Sequence, residues 1–167
     1  QELWGQLHGG VWAGGAGRFG RLEEQPDASF EEIMAANVHV PRRLLKHSAP
    51  ILRQQGSGVL VCVSSAAGRL ALPLSSAFSA SRYALEGLCD ALRVELGLFG
   101  VHVVLVEPGL LRERVGGRDL DSLDAKDIFG VDAASPYQRI AHSLADVFHH
   151  HIGRAATPED VASVIEL

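Results

Sequence analysis

The sequence predicts an α/β fold built on a parallel sheet, and three observations lead to this prediction. Two short runs, Gly58–Val63 (GVLVCV) and Val101–Val106 (VHVVLV), are β-branched and almost free of charge, which is typical of strands buried on both faces. An amphipathic segment at 79–98 lies between them. The order of strand, helix and strand is a crossover connection that places the two strands side by side and parallel.

The helix between the strands is predicted from its spacing. Apolar residues recur there at intervals of three and four beside charged residues, at Leu85, Leu88, Cys89, Leu92 and Leu96, and this gives the helix one apolar face. A second helical segment is predicted at 27–54, where Ser29 and Glu32 have the spacing of a capping box. Pro41 and Pro50 interrupt that segment, so we expect two helical pieces or one bent helix.

A single domain is predicted over residues 1–167, because 47% hydrophobic and 21% charged residues supply enough apolar material for one core. The periodic pattern weakens over 110–157, which predicts an excursion of loops and helices over one face of the sheet. Thr157 as N-cap and Pro158 at the first helical position then predict a final helix.

Composition excludes several classes of function. A formal net charge of -5 leaves no basic field for phosphate backbones, and no apolar run approaches the roughly 18 to 20 residues that span a bilayer. We therefore expect no nucleic-acid partner, no membrane span and a cytoplasmic protein. Cys62 and Cys89 lie in apolar contexts and are predicted to be buried free thiols. No metal site is expected from the run His149, His150 and His151, because three consecutive helical residues cannot all face one ion.

Ligands of parallel sheets bind beyond the carboxyl ends of the strands. Two pairs of residues follow the predicted strands directly or closely, Ser64 with Ser65 and Pro108 with Gly109. A glycine-rich stretch at 11–20 (VWAGGAGRFG) is a third candidate for such a position. These three stretches are therefore the parts of the sequence where we expect a site.

The segments SSAFSASRYALEGL at 75–88 and RYALEGLCDALRVELGLFGVHVVLVEPG at 82–109 carry a family resemblance. They resemble the middle and later part of a short-chain dehydrogenase/reductase, a single-domain Rossmann oxidoreductase that uses NAD(H) or NADP(H). The sequence of these two segments is most similar to the branch of the family that contains estradiol 17-beta-dehydrogenases and retinol dehydrogenases. The resemblance implies a partial, doubly wound Rossmann-type sheet. We expect this sheet to lack the N-terminal nucleotide-binding half, because no G-x-G-x-x-G opens a helix after a first strand. By the same resemblance, we expect the chain to be truncated at both ends.

The family has a catalytic tetrad of Asn, Ser, Tyr and Lys. Ser65 lies 13 residues before Phe78, and Asn37 lies 28 residues before Ser65, and both intervals match the family. The resemblance therefore places Asn37, Ser65, Phe78 and Arg82 at the four catalytic positions. By the same resemblance, Ser polarises the substrate oxygen and Asn holds a water in the proton relay.

The tyrosine and lysine of the tetrad are replaced in this chain. In the family the tyrosine transfers a proton to or from the substrate oxygen, and the lysine four residues later lowers the pKa of that tyrosine. Phe78 has no hydroxyl, so it can neither donate nor accept this proton. Tyr83 is a poor substitute, because five helical residues rotate it by about 140° and carry it about 7.5 Å along the axis. Arg82 keeps the positive charge and can reach ribose hydroxyls, but its planar fork differs from an ammonium.

The cofactor positions implied by the resemblance are also altered. The family's Asn-Asn-Ala-Gly corresponds to residues 12–15 (WAGG), of which Gly14 and Gly15 are candidate cofactor contacts beside Arg82. Pro108 and Gly109 are the candidates at the end of the second strand. Glu113 stands where the family usually has a threonine that binds the nicotinamide carboxamide. The implied cofactor is NAD or NADP, and we expect its affinity to be poor or absent.

Three hypotheses about function follow. The first is an oxidoreductase of a small hydrophobic alcohol or ketone, steroid- or retinoid-like, that is catalytically impaired. The second is a non-catalytic interaction protein that forms a homodimer, or a heterodimer with an intact relative, through the helices at 27–54 and 79–98. The third is a decayed gene product with no selected role. A serine hydrolase is disfavoured, because VSSAAG around Ser65 lacks the first glycine of G-x-S-x-G.

Overall fold

The computed structural model describes residues 5–112, 114–115, 118–119 and 122–165. Five strands lie within these ranges: β1 Gly9–Trp12, β2 Gly58–Val63, β3 Val101–Val106, β4 Arg114–Val115 and β5 Arg118–Asp119. The α-helices are α1 Asp27–Met34, α2 Val40–Gln55, α3 Ser76–Gly97, α4 Ala125–Phe129, α5 Gln138–Ile152 and α6 Pro158–Ile165. 3₁₀ turns lie at Leu22–Glu24 and Ala66–Gly68, and a π-helical segment at Ala35–His39 joins α1 to α2.

The main sheet has the order β1-β2-β3, and both pairings are parallel. β2 and β3 have the predicted bounds and pair in register from Gly58 with Val101 to Val63 with Val106. The predicted α/β class with a parallel sheet is therefore confirmed. Glycine is required at the start of β1, because a Cβ on Gly9 would lie 2.5 Å from the carbonyl oxygen of Val59.

The predicted helix at 27–54 forms a continuous helical stretch with a π-helical segment in its middle. Pro41 lies in the first turn of α2, where its missing N–H leaves no helical bond unmade. The predicted capping box is wrong. The helix begins at Asp27 after Pro26, so Ser29 lies inside the first turn, where it is buried and its hydroxyl has no partner among the described residues.

Buried apolar side chains in the described ranges form two hydrophobic cores. The first lies between the sheet and the long helices, and its fully buried members include Leu45, Leu60, Leu85 and the free thiols Cys62 and Cys89. The second core lies within the predicted excursion, where α4 and α5 pack their apolar faces on each other. Three phenylalanine rings contact one another in this core: Phe129, Phe148 and a partly buried Phe19 from the loop after β1.

The final helix begins as predicted, since Thr157 Oγ1 accepts a bond from the backbone N–H of Asp160.

In the described part of the chain, no helix is both long and apolar enough to cross a membrane.

Candidate functional site

The candidate site lies where β2 ends and α3 begins, with the loop after β1 packed above it. The structure brings Asn37, Phe78 and Arg82 together beneath this loop at residues 15–17. Ser65 lies in the turn that follows β2. The four tetrad positions thus lie on three different segments, and each side chain makes contacts that can be described separately.

Asn37 lies in the π-helical segment and is fully buried. Its Oδ1 accepts a bond from the backbone N–H of Ala16 at 2.7 Å, and its Nδ2 donates to the carbonyl of Ala16 at 2.8 Å and to Ser81 Oγ at 2.8 Å. The amide therefore joins the loop after β1 to α3 with three hydrogen bonds. π-Helical segments are frequent at functional sites, but sequence reasoning did not predict one here, nor the contribution of Ser81.

Phe78 is half-buried, and its ring lies between the loop after β1 and Arg82. A Cβ on Gly17 would lie 3.3 Å from Cδ2 of the ring, and the Arg82 guanidinium carbon lies 5.0 Å from the ring centroid. This distance is within the range of a cation–π contact. The ring is thus a packing surface, and it offers no group that could exchange a proton.

Arg82 is only 7% exposed. Its Nη1 donates to the carbonyl of Val63 at 3.1 Å, at the end of β2, whereas its buried Nε has no partner among the described residues. A Cβ on Gly15 would lie 2.3 Å from Nη2, so this glycine is needed for the loop to cross the guanidinium. Burial lowers the pKa of Arg82, and the charge of Glu86 one turn later opposes this effect.

Ser65 is the N-cap of the 3₁₀ turn Ala66–Gly68, and its Oγ accepts a bond from the backbone N–H of Ala67 at 3.2 Å. The hydroxyl proton is not used by this bond, so Ser65 can still donate to a substrate oxygen. Tyr83 points elsewhere, since its hydroxyl donates to the carbonyl of Arg69 at 2.5 Å and its side chain is exposed. This geometry agrees with the prediction that Tyr83 is a poor substitute for the family's tyrosine.

The candidate cofactor positions are only partly assembled. Gly15 lies against Arg82, but Gly14 packs on the ring of Trp12. The carbonyl of Pro108 accepts a bond from the backbone N–H of Ala66, while nothing lies within 4 Å of a Cβ placed on Gly109. Glu113 falls outside the described residues.

The described residues fit a dinucleotide poorly. The glycine-rich stretch at 11–20 is followed by a 3₁₀ turn and by Pro26 before α1 begins, so it does not present the helix N-terminus that binds a pyrophosphate. Arg82, which would contact a ribose, is buried against Val63 and Phe78.

A network of charges beside Ser65 was not predicted from the sequence. Glu86 is 3% exposed and pairs with Arg69, with Oε2 and Nη2 3.1 Å apart. Arg69 also donates two hydrogen bonds to Glu107 Oε1, at 3.0 and 3.1 Å. Burial raises the pKa of Glu86. The spacing of four from Arg82 to Glu86 is the signal that places both on one helical face.

No group of three or more metal-binding side chains is found in the described ranges. Within the histidine run, His149 Nε2 lies 2.8 Å from the carbonyl of Leu123, and the rings of His150 and His151 contact edge to face.

Comparison with known proteins decides the family. Residues 1–119 match the family model of the short chain dehydrogenases. The chain belongs to the short-chain dehydrogenase family. It is 36% identical over 154 residues to human (Homo sapiens) 17-beta-hydroxysteroid dehydrogenase type 1, and the aligned residues make up 90% of this chain and 45% of that protein. It is 29% identical over 153 residues to retinol dehydrogenase 8 of Bos taurus, with 90% and 48% covered.

Solved structures of dehydrogenases are similar to this chain in fold. A short-chain dehydrogenase from Streptomyces avermitilis is 33% identical with a TM-score of 0.64, covering 70% of this chain and 43% of that chain. An NAD⁺-bound xylitol dehydrogenase has a TM-score of 0.73 at 21% identity and covers 95% and 62%. The chain thus spans about half the length of the curated relatives it matches, and its sheet is a partial Rossmann-type sheet.

Proposed function

We propose that this chain is a short-chain dehydrogenase oxidoreductase segment that has kept the scaffold of its active site and lost its acid–base step. The observation that carries the proposal is the position of Phe78. Its ring lies against Gly17 and Arg82, where the family's tyrosine would exchange a proton with the substrate oxygen. Loss of a general acid–base costs about 10²- to 10⁴-fold in rate.

The side chains at the other three tetrad positions cannot supply this proton. Arg82 is always protonated near neutral pH and is therefore no base. Asn37 bonds to Ala16 and Ser81, and an amide does not titrate. Ser65 can polarise a carbonyl or hydroxyl oxygen by donating a hydrogen bond, but its own ionisation is far above neutral pH. The chain can therefore orient a substrate oxygen better than it can protonate one.

The ancestral reaction in this proposal is hydride transfer between a nicotinamide cofactor, NAD or NADP, and a hydrophobic secondary alcohol or its ketone. Support for the hydrophobic substrate comes from the relatives, whose names specify 17-beta-hydroxysteroid and retinol. A bound nicotinamide would supply or accept the hydride. The two free thiols, Cys62 and Cys89, support a reducing, cytoplasmic setting as part of the same proposal.

The test is to measure NAD(P)H binding by fluorescence and alcohol oxidation by absorbance. The variants are wild type, Phe78→Tyr, Arg82→Lys and the double variant, with Tyr83→Phe as the control because that hydroxyl lies outside the site. We expect no saturable micromolar NAD(P)H binding and no turnover in wild type or the control. Turnover in wild type would contradict the lost acid–base step, and micromolar binding would contradict the poor cofactor fit.

A second candidate function is a non-catalytic subunit that pairs through its long helices. The observation that favours it is a stripe of exposed small and apolar residues along one face of α3 and its C-cap: Tyr83, Gly87, Ala91, Val94 and Leu98. The side chains of Val94 and Leu98 are 73% and 83% exposed. Such a stripe lets a second helix approach closely and bury these side chains.

Analytical ultracentrifugation tests the second candidate. We expect a dimer of wild type, or a complex with an intact short-chain dehydrogenase such as 17-beta-hydroxysteroid dehydrogenase type 1, and we expect Val94→Lys to abolish it. Glu95→Lys is the matched control, because it adds a lysine to the neighbouring exposed position outside the stripe. A wild-type monomer that forms no complex with the relative removes this candidate and favours a decayed gene product.

A further inference from the structure

We propose that a cavity between the loop after β1 and the end of α4 binds small aromatic carboxylates. None of the four tetrad positions lines this cavity, and the inference does not rest on the proposed function. Three observations lead to it: the size and apolar lining of the cavity, the contacts that join its two walls, and an arginine at its rim that has no partner.

The cavity has a volume of about 200 Å³. Phe19 and Phe129 line it, and their ring centroids lie 5.1 Å apart in an edge-to-face arrangement. An apolar cavity of about 150 Å³ holds benzene, whereas pockets for drug-sized ligands usually measure about 300–1,000 Å³. The cavity therefore has room for a single aromatic ring that carries one small substituent.

The two walls of the cavity are joined to each other and to the rest of the structure. Arg21 Nη1 donates to the carbonyl of Gly130 at 3.3 Å, which links the loop after β1 to the C-cap of α4. The N–H of Gly20 donates to the carbonyl of Leu74 at 2.7 Å, just before α3, and the ring of Phe19 packs into the second core. A preformed cavity of this kind loses little free energy to ordering when a ligand binds.

Arg18 provides the spare positive charge of the cavity. It lines the cavity, it is exposed, and its side chain forms no hydrogen bond or ion pair with the described residues. Arg21 and Glu24 also line the cavity, but these two side chains pair with each other. The lining thus carries one unbalanced positive charge, on a guanidinium whose fork can donate two parallel hydrogen bonds to a carboxylate.

The charged groups around the cavity, outside its lining, have partners of their own. Lys126 Nζ and Asp132 Oδ1 form an ion pair at 2.8 Å, and Glu23 Oε1 accepts a bond from the hydroxyl of Tyr137 at 2.9 Å. Arg18 is therefore the group that is left to attract the charge of a ligand.

These features select one class of ligand. An aromatic ring can pack against Phe19 and Phe129, while a carboxylate on that ring can pair with Arg18. A neutral ring of the same size keeps the ring contacts and lacks the ion pair, and an amine is repelled by the unpaired guanidinium. Because Arg18 is exposed, we expect the ion pair to make a modest contribution to affinity.

Benzoate, benzyl alcohol and benzylamine test the proposal, because they share one ring and differ in charge. NMR titrations of the full chain follow the amide signals of Gly20 and Gly130, which both line the cavity. We expect benzoate to move both signals in a saturable way and to bind about threefold to tenfold more tightly than benzyl alcohol. Benzylamine is expected to bind most weakly. These readouts need neither cofactor nor turnover, so failure of the proposed function leaves them informative.

Arg18→Gln is expected to bind benzoate no more tightly than benzyl alcohol. Arg154→Gln is the matched control, because it removes an exposed arginine that does not line the cavity, and it is expected to keep the preference for benzoate. Glu24→Gln frees Arg21 from its partner and is expected to strengthen benzoate binding. Amide signals that do not move, equal affinities of wild type for benzoate and benzyl alcohol, tightest binding of benzylamine, an unchanged preference in Arg18→Gln or weaker benzoate binding by Glu24→Gln would each overturn the proposal.

Discussion

The two halves of the tetrad are held in different ways. Asn37 and Ser65, which are predicted to keep the family's residue types, bond to backbone groups of Ala16 and Ala67. Phe78 and Arg82, which are predicted to replace the family's tyrosine and lysine, stack on each other beneath Gly15 and Gly17. The first half depends on directional hydrogen bonds, and the second depends on packing. The difference teaches that two kinds of contact, the hydrogen bonds of Asn37 and the packing of Phe78 and Arg82, hold the loop after β1 against α3.

The largest effect is expected from Asn37→Ala. This change removes three hydrogen bonds and leaves the N–H and carbonyl of Ala16 without their partner, so we expect a loss of about 2–4 kcal/mol in the free energy of unfolding. Ser81→Ala removes one of these bonds and is expected to cost about 1 kcal/mol. Urea unfolding measures both. Equal losses would show that the amide's bonds to Ala16 contribute little.

Gly15→Ala tests the packing half. A Cβ there would lie 2.3 Å from Arg82 Nη2 and 2.8 Å from Asn37 Oδ1, so we expect a loss of about 1–3 kcal/mol from overpacking. Gly109→Ala is the control, with no atom within 4 Å of its Cβ. Adding Arg82→Ala to Gly15→Ala is expected to recover part of the loss, which a double-mutant cycle detects. Additive losses would break the proposed contact between Gly15 and Arg82.

The pH dependence of unfolding tests the charge of Glu86, the buried carboxyl that lies beside the tetrad residues. Burial raises the pKa of Glu86 in the folded chain, so its contribution to stability is complete below the unfolded pKa and is lost as pH rises through the folded value. Glu86→Gln cannot ionise. We therefore expect the stability of wild type to fall relative to Glu86→Gln over this window, measured by urea unfolding at several pH values. A difference that is constant with pH would contradict the raised pKa.

Ser65→Ala is expected to have the smallest effect. Its hydroxyl is half-buried and accepts one long bond of 3.2 Å from Ala67, so we expect a loss of about 0.5–1 kcal/mol. Thermal unfolding of wild type and variant provides the measurement. A loss as large as that of Asn37→Ala would show that the two polar tetrad residues are equally structural.

Sequence patterns predicted the fold better than they predicted the polar contacts of the site. The bounds of β2 and β3 follow from short apolar runs, and the N-cap at Thr157 follows from local spacing. The capping box at Ser29 failed because Pro26 starts the helix earlier. The roles of Ala16 and Ser81 could not be predicted, because a hydrogen bond between distant segments has no local signature.

The sequence by itself indicated the family, through the spacing of Asn37, Ser65 and Phe78, and it predicted that the position of the family's tyrosine lacks a hydroxyl, because a missing atom needs no structure to be recognised. Only the tertiary structure decided that Arg82 and Glu86 are buried. Spacing along a helix fixes which side chains share a face, but burial depends on what packs against that face. Here the loop after β1 covers Arg82 and the turn at Gly68 covers Glu86.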